Sequence, residues 1–334
     1  MGQVLVPEPS GPRVRELARA QSDTRRRWLQ AAAIWIVLGA LILLAGLVSP
    51  TFLSPRNIAT LMKQAAPLGI LAVGQTLVIL TGGIDLSVAS VMATVSVFAA
   101  GLIDGKDERV WPVVLVCLLF SVLVGLANGL LVTKLRIPPF IATLGMILVV
   151  QGIRFVYTKG TPKTYIPDSL RFFGRDSTGP IPNAVIVWLV IVLIVGFLLT
   201  RTTFGRRLYA VGGNTRTAYL SGIDVDRTRI AAYTLCSLLA GIAGLVLVGY
   251  VGHADNWLGN GFELNAIAAV VIGGTAFEGG KGGLLGTIGG VLILTVLFNL
   301  VLLLQFDEEV RRIVKGMVIL FAVAMYARLR TQRA

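Results

Sequence analysis

One acidic residue stands at a break between two apolar segments of this sequence. Residues 74–90 read GQTLVILTGGIDLSVAS, in which Gly82 and Gly83 interrupt an apolar helix and Asp85 follows directly. A carboxylate at membrane depth is costly unless it faces water or a partner group. The stretch therefore predicts either a functional polar group or a structural group whose hydrogen bonds are satisfied.

Two roles are open for Asp85. In the first, the broken helix lines a polar path for a hydroxylated solute, with side chains from Gln75, Thr81, Asp85 and Ser87. In the second, Asp85 caps the following helix by accepting from the backbone amide of Ser87 or Val88, as aspartate does at helix N-termini. A capping residue can also lie beside the path, so the sequence alone does not choose between the roles.

Polar residues within other apolar segments raise the same question. Asn128, Gln151 and Arg154 are each isolated in an apolar helix, where such groups join neighbouring helices more often than they contact a solute. Asn128 and Gln151 are kept as candidate pathway residues. Glu263 opens a further apolar segment, and an acidic residue in a first helical turn interacts favourably with the helix dipole.

The glycine-rich stretch at residues 279–283 does not form a phosphate loop. A P-loop requires glycine, four residues, then Gly-Lys-Ser/Thr, whereas Thr275 occupies the first glycine place and Gly282 the Ser/Thr place. The chain has one histidine, two cysteines inside apolar runs and no Ser/His/Asp set. We therefore expect no catalytic residue, no metal site and no cofactor on this chain.

The composition places these residues in a membrane. The chain has 334 residues, of which 55% are hydrophobic and 14% charged, and its mean hydropathy is +0.81. Soluble domains contain about a quarter charged residues. The net charge of +13 is explained by basic cytoplasmic loops, without a nucleic-acid partner. The sequence predicts an all-α polytopic membrane protein in lipid, long enough for about ten helices of about 20 residues.

The apolar runs predict ten spans within one transmembrane domain, residues 28–326. The spans are predicted at 28–49, 57–80, 85–103, 111–133, 140–157, 183–200, 230–250, from 263, 284–304 and 310–326, between basic tails at 1–27 and 327–334. Both tails and the most basic loop fall on one side, which predicts cytoplasmic termini. Spans two to five and seven to ten form two four-helix halves of opposite orientation, a common transporter plan.

The most basic loop, residues 201–229, predicts a docking surface outside the membrane. It reads RTTFGRRLYAVGGNTRTAYLSGIDVDRTR and has six arginines against Asp224 and Asp226. A short helix over 215–221, with Asn214 as N-cap and Gly222 as its stop, would make a compact knob. The alternative is a basic loop that only fixes the orientation of the chain.

Four motifs in order resemble one protein family. They are GQTLVILTGGIDLSV, NGLLVTKLRIPPFIATLGM, FGRRLYAVGGN with LSGI, and ELNAIAAVVIGGTAFEGGKGGLLGT. They closely resemble the ribose-type sugar permeases of bacterial ABC importers, a branch that includes permeases for xylose, arabinose, galactose and autoinducer-2. The resemblance covers residues 52–326, and four long motifs in the right order are specific.

The resemblance implies a fold, partners and a substrate class. The fold would be like the ten-helix permeases of the cobalamin-importer type, with two permease subunits, a homodimer here, around the pathway. A cytoplasmic ABC ATPase would bind ATP and magnesium and dock on each permease, and a periplasmic or lipid-anchored sugar-binding protein would deliver a pentose, hexose or related polyol. The location would be the bacterial cytoplasmic membrane. The alternative is an ion-coupled secondary sugar transporter, with Asp85 as its coupling carboxylate.

The resemblance also places the coupling helix of such permeases at residues 205–223. The residues implied in ATPase coupling are Gly205, Arg206, Arg207, Asn214, Ala218, Leu220, Ser221, Gly222 and Ile223. Ala218 and Leu220 would give small and apolar contacts, while the arginines would meet acidic groups of the ATPase. The glycines that break the two spans, predicted to be structural, are Gly82, Gly83, Gly273 and Gly274.

Overall fold

The part of the chain that the computed structural model describes is helical almost throughout. It comprises residues 32–162, 165–307, 309–310, 312–314, 316–317 and 320. The all-α prediction is confirmed for these residues, which contain one short strand pair besides helices. Both predicted basic tails and most of the predicted tenth span, residues 310–326, lie outside the described residues.

The helices alternate with short connections. They are α1 (Ala32–Val48), α2 (Pro55–Leu80), α3 (Val88–Ile103), α4 (Val110–Thr133), α5 (Pro139–Thr158), α6 (Asp168–Gly174), α7 (Asn183–Arg201), α8 (Thr203–Gly213), α9 (Thr215–Leu220), α10 (Val225–Val251), α11 (Phe262–Ile272) and α12 (Leu284–Leu303). A 3-10 turn at Asp107–Arg109 leads into α4. Strands β1 (Ser177–Thr178) and β2 (Ile181–Pro182) pair antiparallel.

Six of these helices are long and apolar enough to cross a membrane. They are α2, α4 with its preceding turn, α5, α7, α10 and α12. The apolar helices α1, α3 and α11 are shorter. The structure therefore supports a multi-pass membrane protein with six candidate spans among the described residues, fewer than the ten that the whole sequence predicts.

Local capping residues explain where the two central helices begin and end. The Ser54 hydroxyl accepts from the Asn57 amide, and Pro55 occupies the first position of α2, where a missing N–H is not needed. The Asp224 carboxylate accepts from the Arg227 amide at the start of α10. Helix α10 ends at Gly252, whose φ of +82° is accessible to glycine at little cost.

Helices α2 and α10 form the centre of the bundle. Within their most apolar windows 89% and 67% of residues are buried, against 22% for α5. Small residues permit this packing: a Cβ at Gly74 would lie 3.0 Å from Cys236 Cα, and one at Gly125 would lie 2.7 Å from Thr234 Cα. Helix α5 is peripheral, and most of its surface is not covered by the other described residues.

The connections gather at two ends of the bundle. At the first, Lys134 Nζ lies 2.7 Å from Asp226 Oδ2, which joins the α4–α5 connection to the start of α10. At the second, Asn256 Nδ2 donates to Gly160 O at 3.2 Å. We call these the coupling end and the far end. Residues 202–224 connect α7 to the start of α10 at the coupling end.

Candidate functional site

The break after α2 places Asp85 in a buried hydrogen-bonded cluster. Asp85 Oδ1 accepts from Ser87 N at 2.9 Å and from Ser87 Oγ at 2.6 Å, and Asp85 is fully buried. Asn128 Nδ2 on α4 donates to Ser87 Oγ at 2.8 Å. Helix α3 begins at Val88, so its N-cap is Ser87, and Asp85 organises the turn before it. Asp85 therefore accepts from the Ser87 amide, as the capping role predicts, but it lies two residues before the N-cap Ser87 and is not the N-cap itself.

Helices α2 and α10 complete the cluster. The Gln75 amide bonds the main-chain oxygen and nitrogen of Asp85 at 3.1 and 3.2 Å, in the amide orientation that satisfies both groups. The Tyr233 hydroxyl donates to Ile84 O at 3.3 Å. The extended segment 83–87 is therefore held by α2, α4 and α10. The structure brings four predicted pathway residues together here: Gln75, Asp85, Ser87 and Asn128.

Two substitutions of Asp85 are expected to differ in severity. Asn keeps an oxygen that can accept from Ser87, whereas Leu leaves the Ser87 amide and hydroxyl buried without this acceptor, at about 1–3 kcal/mol per group. Asp85→Asn should keep most solute uptake and the thermal unfolding midpoint, while Asp85→Leu should lower both. Equal and complete loss of uptake in both variants, at unchanged thermal stability, would instead show that the charge is required.

Two cavities meet opposite ends of segment 83–87. The coupling-end cavity has a volume of about 680 Å³, and Thr81 and Gly83 line it together with Arg216 and Tyr233. The far-end cavity has a volume of about 60 Å³, and its lining starts at Leu86. Helix α5 contributes to both, through Pro139 and Gln151 respectively. Thr81 and Gln151 thus lie in different cavities, outside the Asp85 cluster.

Sequence reasoning left two residues of the far-end cavity out of the pathway. Arg154 and Glu263 both line it. Each is an ionisable residue in an apolar segment, and this pattern by itself marks a candidate functional group in a membrane protein. Their proximity could not be read from the sequence, because α5 and α11 are separated by more than 100 residues.

Helix α9 forms a short knob at the coupling end. Asn214 Oδ1 accepts from Thr217 N at 2.9 Å, and the helix stops before Gly222, whose φ is +78°. The cap and the stop are those predicted, and the helix ends at Leu220, one residue earlier than predicted. Arg229 Nη2 donates to Thr215 Oγ1 at 3.2 Å and ties the knob to α10.

The side chains of this loop divide into anchoring and exposed groups. Ala218, predicted to contact a partner, is buried against Val211 and Val225 and therefore anchors the knob. Gly205 is also buried, and a Cβ there would lie 2.1 Å from Leu199 O. Leu220 is 77% exposed. The remaining predicted coupling residues are exposed or half-buried: Arg206, Arg207, Asn214, Ser221, Gly222 and Ile223.

The end of α8 approaches the helix break closely through main-chain atoms. A Cβ at Gly212 would lie 1.8 Å from Leu80 O and 2.5 Å from Gly280 N, and Gly280 N donates to Leu80 O at 3.0 Å. A Cβ at Gly279 would lie 2.7 Å from Gly82 N. We call this contact of Leu80, Gly82, Gly212, Gly279 and Gly280 the glycine joint. It connects the knob-bearing loop to the segment that holds Asp85.

The predicted structural glycines serve turns and close packing. Gly82 and Gly274 have φ values of +76° and +81°. A Cβ at Gly83 would lie 2.5 Å from the Tyr233 hydroxyl, and one at Gly273 would lie 2.5 Å from the backbone of Gly286. Larger residues at these positions would clash with the neighbouring groups or require unfavourable backbone angles.

The described residues form apolar helices around a glycine-rich helix break, with an exposed knob at one end, an architecture that suits a membrane subunit. The family model described as "Branched-chain amino acid transport system / permease component" matches residues 57–323. The chain belongs to this family of permease components. Among the described residues there is no group of three or more His, Cys, Asp or Glu that could hold a metal ion.

Curated relatives match nearly the whole chain. The ribose import permease protein RbsC of Bacillus subtilis is 42% identical over 89% of this chain and 92% of its own. The same-named protein of Escherichia coli is 39% identical over 89% and 94%. The galactose/methyl galactoside import permease protein MglC of Salmonella typhimurium is 32% identical over 89% and 94%. No solved structure matches the chain significantly.

These matches confirm the family resemblance that the four motifs predicted. The relatives are import permease subunits, so this chain is a transporter subunit rather than an enzyme. The matches give no support to the ion-coupled alternative. Importers of this class work with an ATPase and a substrate-binding protein in general.

Proposed function

We propose that this chain is the transmembrane permease subunit of an ATP-driven importer of a monosaccharide, with D-ribose as the first candidate substrate. The observation that carries this proposal is the 42% identity to a ribose import permease over nearly the full length of both chains. The 32% identity to a galactose and methyl galactoside permease extends the class of candidate substrates from pentoses to hexoses.

ATP hydrolysis takes place on a separate cytoplasmic ATPase, which binds ATP and magnesium and docks on the α9 knob. An apolar side chain at the tip of a small, well-anchored helix suits such docking, and Leu220 is 77% exposed there. The exposed Arg206 and Arg207 lie in the same loop and can meet acidic groups of the ATPase. Since the arginines concentrate at the coupling end, that end faces the cytoplasm.

The sugar crosses the cytoplasmic membrane between two copies of this chain, with α5 forming part of the wall. This assignment is supported by the low burial of α5 and by its contribution to both cavities. The full subunit has ten spans in two inverted halves, like permeases of the cobalamin-importer type, and cytoplasmic termini. A periplasmic or lipid-anchored binding protein delivers the sugar at the far end.

Alternating access then opens the two cavities in turn. Segment 83–87 lines one cavity with Gly83 and the other with Leu86, and the glycine joint connects this segment to the ATPase-docking loop. A displacement of α8 by the ATPase is transmitted through main-chain contacts to the end of α2. In this scheme the Asp85 cluster keeps the unwound segment in one conformation during the movement.

Co-purification followed by transport measurement tests this function. The chain is purified from its native membrane in mild detergent, and mass spectrometry identifies the proteins that accompany it. An ATPase and a sugar-binding protein are expected. The reassembled complex in vesicles should take up radiolabelled D-ribose only with ATP, and ionophores should have no effect. Uptake driven by an ion gradient without ATP would overturn the proposal and make Asp85 the candidate coupling group.

A further inference from the structure

The far-end cavity contains a buried guanidinium whose hydrogen bonding is incomplete. Arg154 is 4% exposed, and its Nη1 donates to Ser90 O and Thr94 Oγ1, each at 3.2 Å. Its Nε has no hydrogen-bond partner among the described residues. The two bonds fix one side of the guanidinium against α3 and leave a donor unsatisfied within a site that the cavity reaches.

Acceptors without partners line the same cavity. Glu263 Oε2 at the start of α11 and Asn256 Oδ1 in the preceding loop have no hydrogen-bond partner within the described part of the chain. Among those residues, no ion pair joins Arg154 to Glu263 either. A buried donor and two buried acceptors around one space are unfavourable unless a bound group satisfies them.

Hydroxyl groups can pair with both the unpaired donor and the unpaired acceptors of this cavity. One hydroxyl can donate to a carboxylate and accept from a guanidinium at the same time, and hydrogen bonds to charged groups are the stronger kind. The volume of about 60 Å³ exceeds what a single water needs, so the cavity can admit hydroxyl groups of a larger molecule.

The mouth of the cavity presents aromatic surface. Trp257 lines the cavity and is 58% exposed, and its ring packs edge-on against Phe155 with 5.8 Å between centroids. An exposed indole beside charged hydroxyl-binding groups offers an apolar surface to the C–H face of a sugar ring. Gln151 adds an amide that can both donate and accept.

We propose that this cavity is a hydroxyl-binding subsite of the permease itself, where a sugar is checked after it leaves the binding protein. Arg154, Glu263, Asn256 and Gln151 bind its hydroxyls, and Trp257 covers its apolar face. The proposal rests on the proposed function and adds to it a second point of substrate selection, within the membrane subunit.

Deoxy sugars separate this subsite from selection by the binding protein. Uptake of D-ribose is compared with uptake of 2-deoxy-D-ribose and 5-deoxy-D-ribose in vesicles containing the full complex, with the same binding protein throughout. For the unaltered chain, ribose should be preferred over at least one deoxy sugar. Glu263→Gln and Gln151→Leu should reduce that preference about tenfold. With the first variant the missing sugar hydroxyl leaves a neutral amide unpaired instead of a charged carboxylate, and with the second it leaves no polar group unpaired at residue 151.

A matched control and two opposing outcomes complete the test. Glu108→Gln removes an exposed carboxylate near the same end, outside the cavity lining, and should leave the preference unchanged. A merely structural role of Glu263 would lower uptake of all three sugars by the same factor and would overturn the subsite. Unchanged preference in both variants would overturn it as well. Absence of ribose uptake by the unaltered complex would overturn the proposed function instead.

Discussion

Leu220→Asp is expected to abolish ATP-dependent uptake, reducing its rate tenfold or more. Leu220 is 77% exposed on the α9 knob, so the substitution removes the apolar contact that we propose with the ATPase and leaves the buried Ala218 unchanged. A central apolar contact in an interface is worth about 2 kcal/mol or more, and burying a carboxylate in its place adds a desolvation cost. Uptake of radiolabelled D-ribose in vesicles measures the effect.

The control introduces the same charge elsewhere on the same loop. Thr203 is exposed at the first position of α8, where an aspartate is compatible with the helix dipole. Thr203→Asp should retain most uptake, and both variants should keep the thermal unfolding midpoint of the unaltered chain. Normal uptake by Leu220→Asp, or equal loss of uptake in both variants, would show that the α9 knob is not the docking site.

Gly212→Ala is expected to stop transport through a single added methyl group. Its Cβ would lie 1.8 Å from Leu80 O, so α8 must move away from the end of α2 or the Gly280–Leu80 hydrogen bond must break. Overpacking of this kind costs about 1–3 kcal/mol. ATP-dependent uptake should fall tenfold or more, and the thermal unfolding midpoint should fall with it.

The neighbouring residue provides the matched control. A Cβ at Gly213 would meet nothing within 4 Å, so Gly213→Ala makes the same chemical change one residue further along the same helix. It should preserve uptake and raise helix stability slightly, because alanine favours helix more than glycine does. Comparable uptake by Gly212→Ala and Gly213→Ala would show that the glycine joint does not transmit the movement.

Much of the helical organisation was predictable because its causes are local. Pro55, Pro139 and Asn183 each mark a helix start within two residues of the predicted bound. The α9 knob was predicted from Asn214 and Gly222, since a side-chain cap and a left-handed glycine act on residues adjacent in sequence. Apolar composition likewise predicted an all-helical membrane protein.

Contacts between distant segments could not be predicted in the same way. Residues 159–182 read as a polar loop, yet they contain α6, which packs so closely on α10 that a Cβ at Gly174 would lie 2.2 Å from Tyr250 N. The sequence placed Gln75 and Gln151 in one pathway group, whereas the structure separates them into the Asp85 cluster and the far-end cavity. Such separations depend on how helices pack, which spacing within one helix does not specify.

The composition of the glycine joint determines how its stiffness responds to ionic strength. Its closest contacts join main-chain atoms of Leu80, Gly82, Gly212, Gly279 and Gly280. Dissolved ions weaken interactions between exposed charges and have little effect on buried amide contacts. Raising the ionic strength should therefore weaken the proposed binding of the ATPase to the arginine-rich loop, while the glycine joint keeps its rigidity.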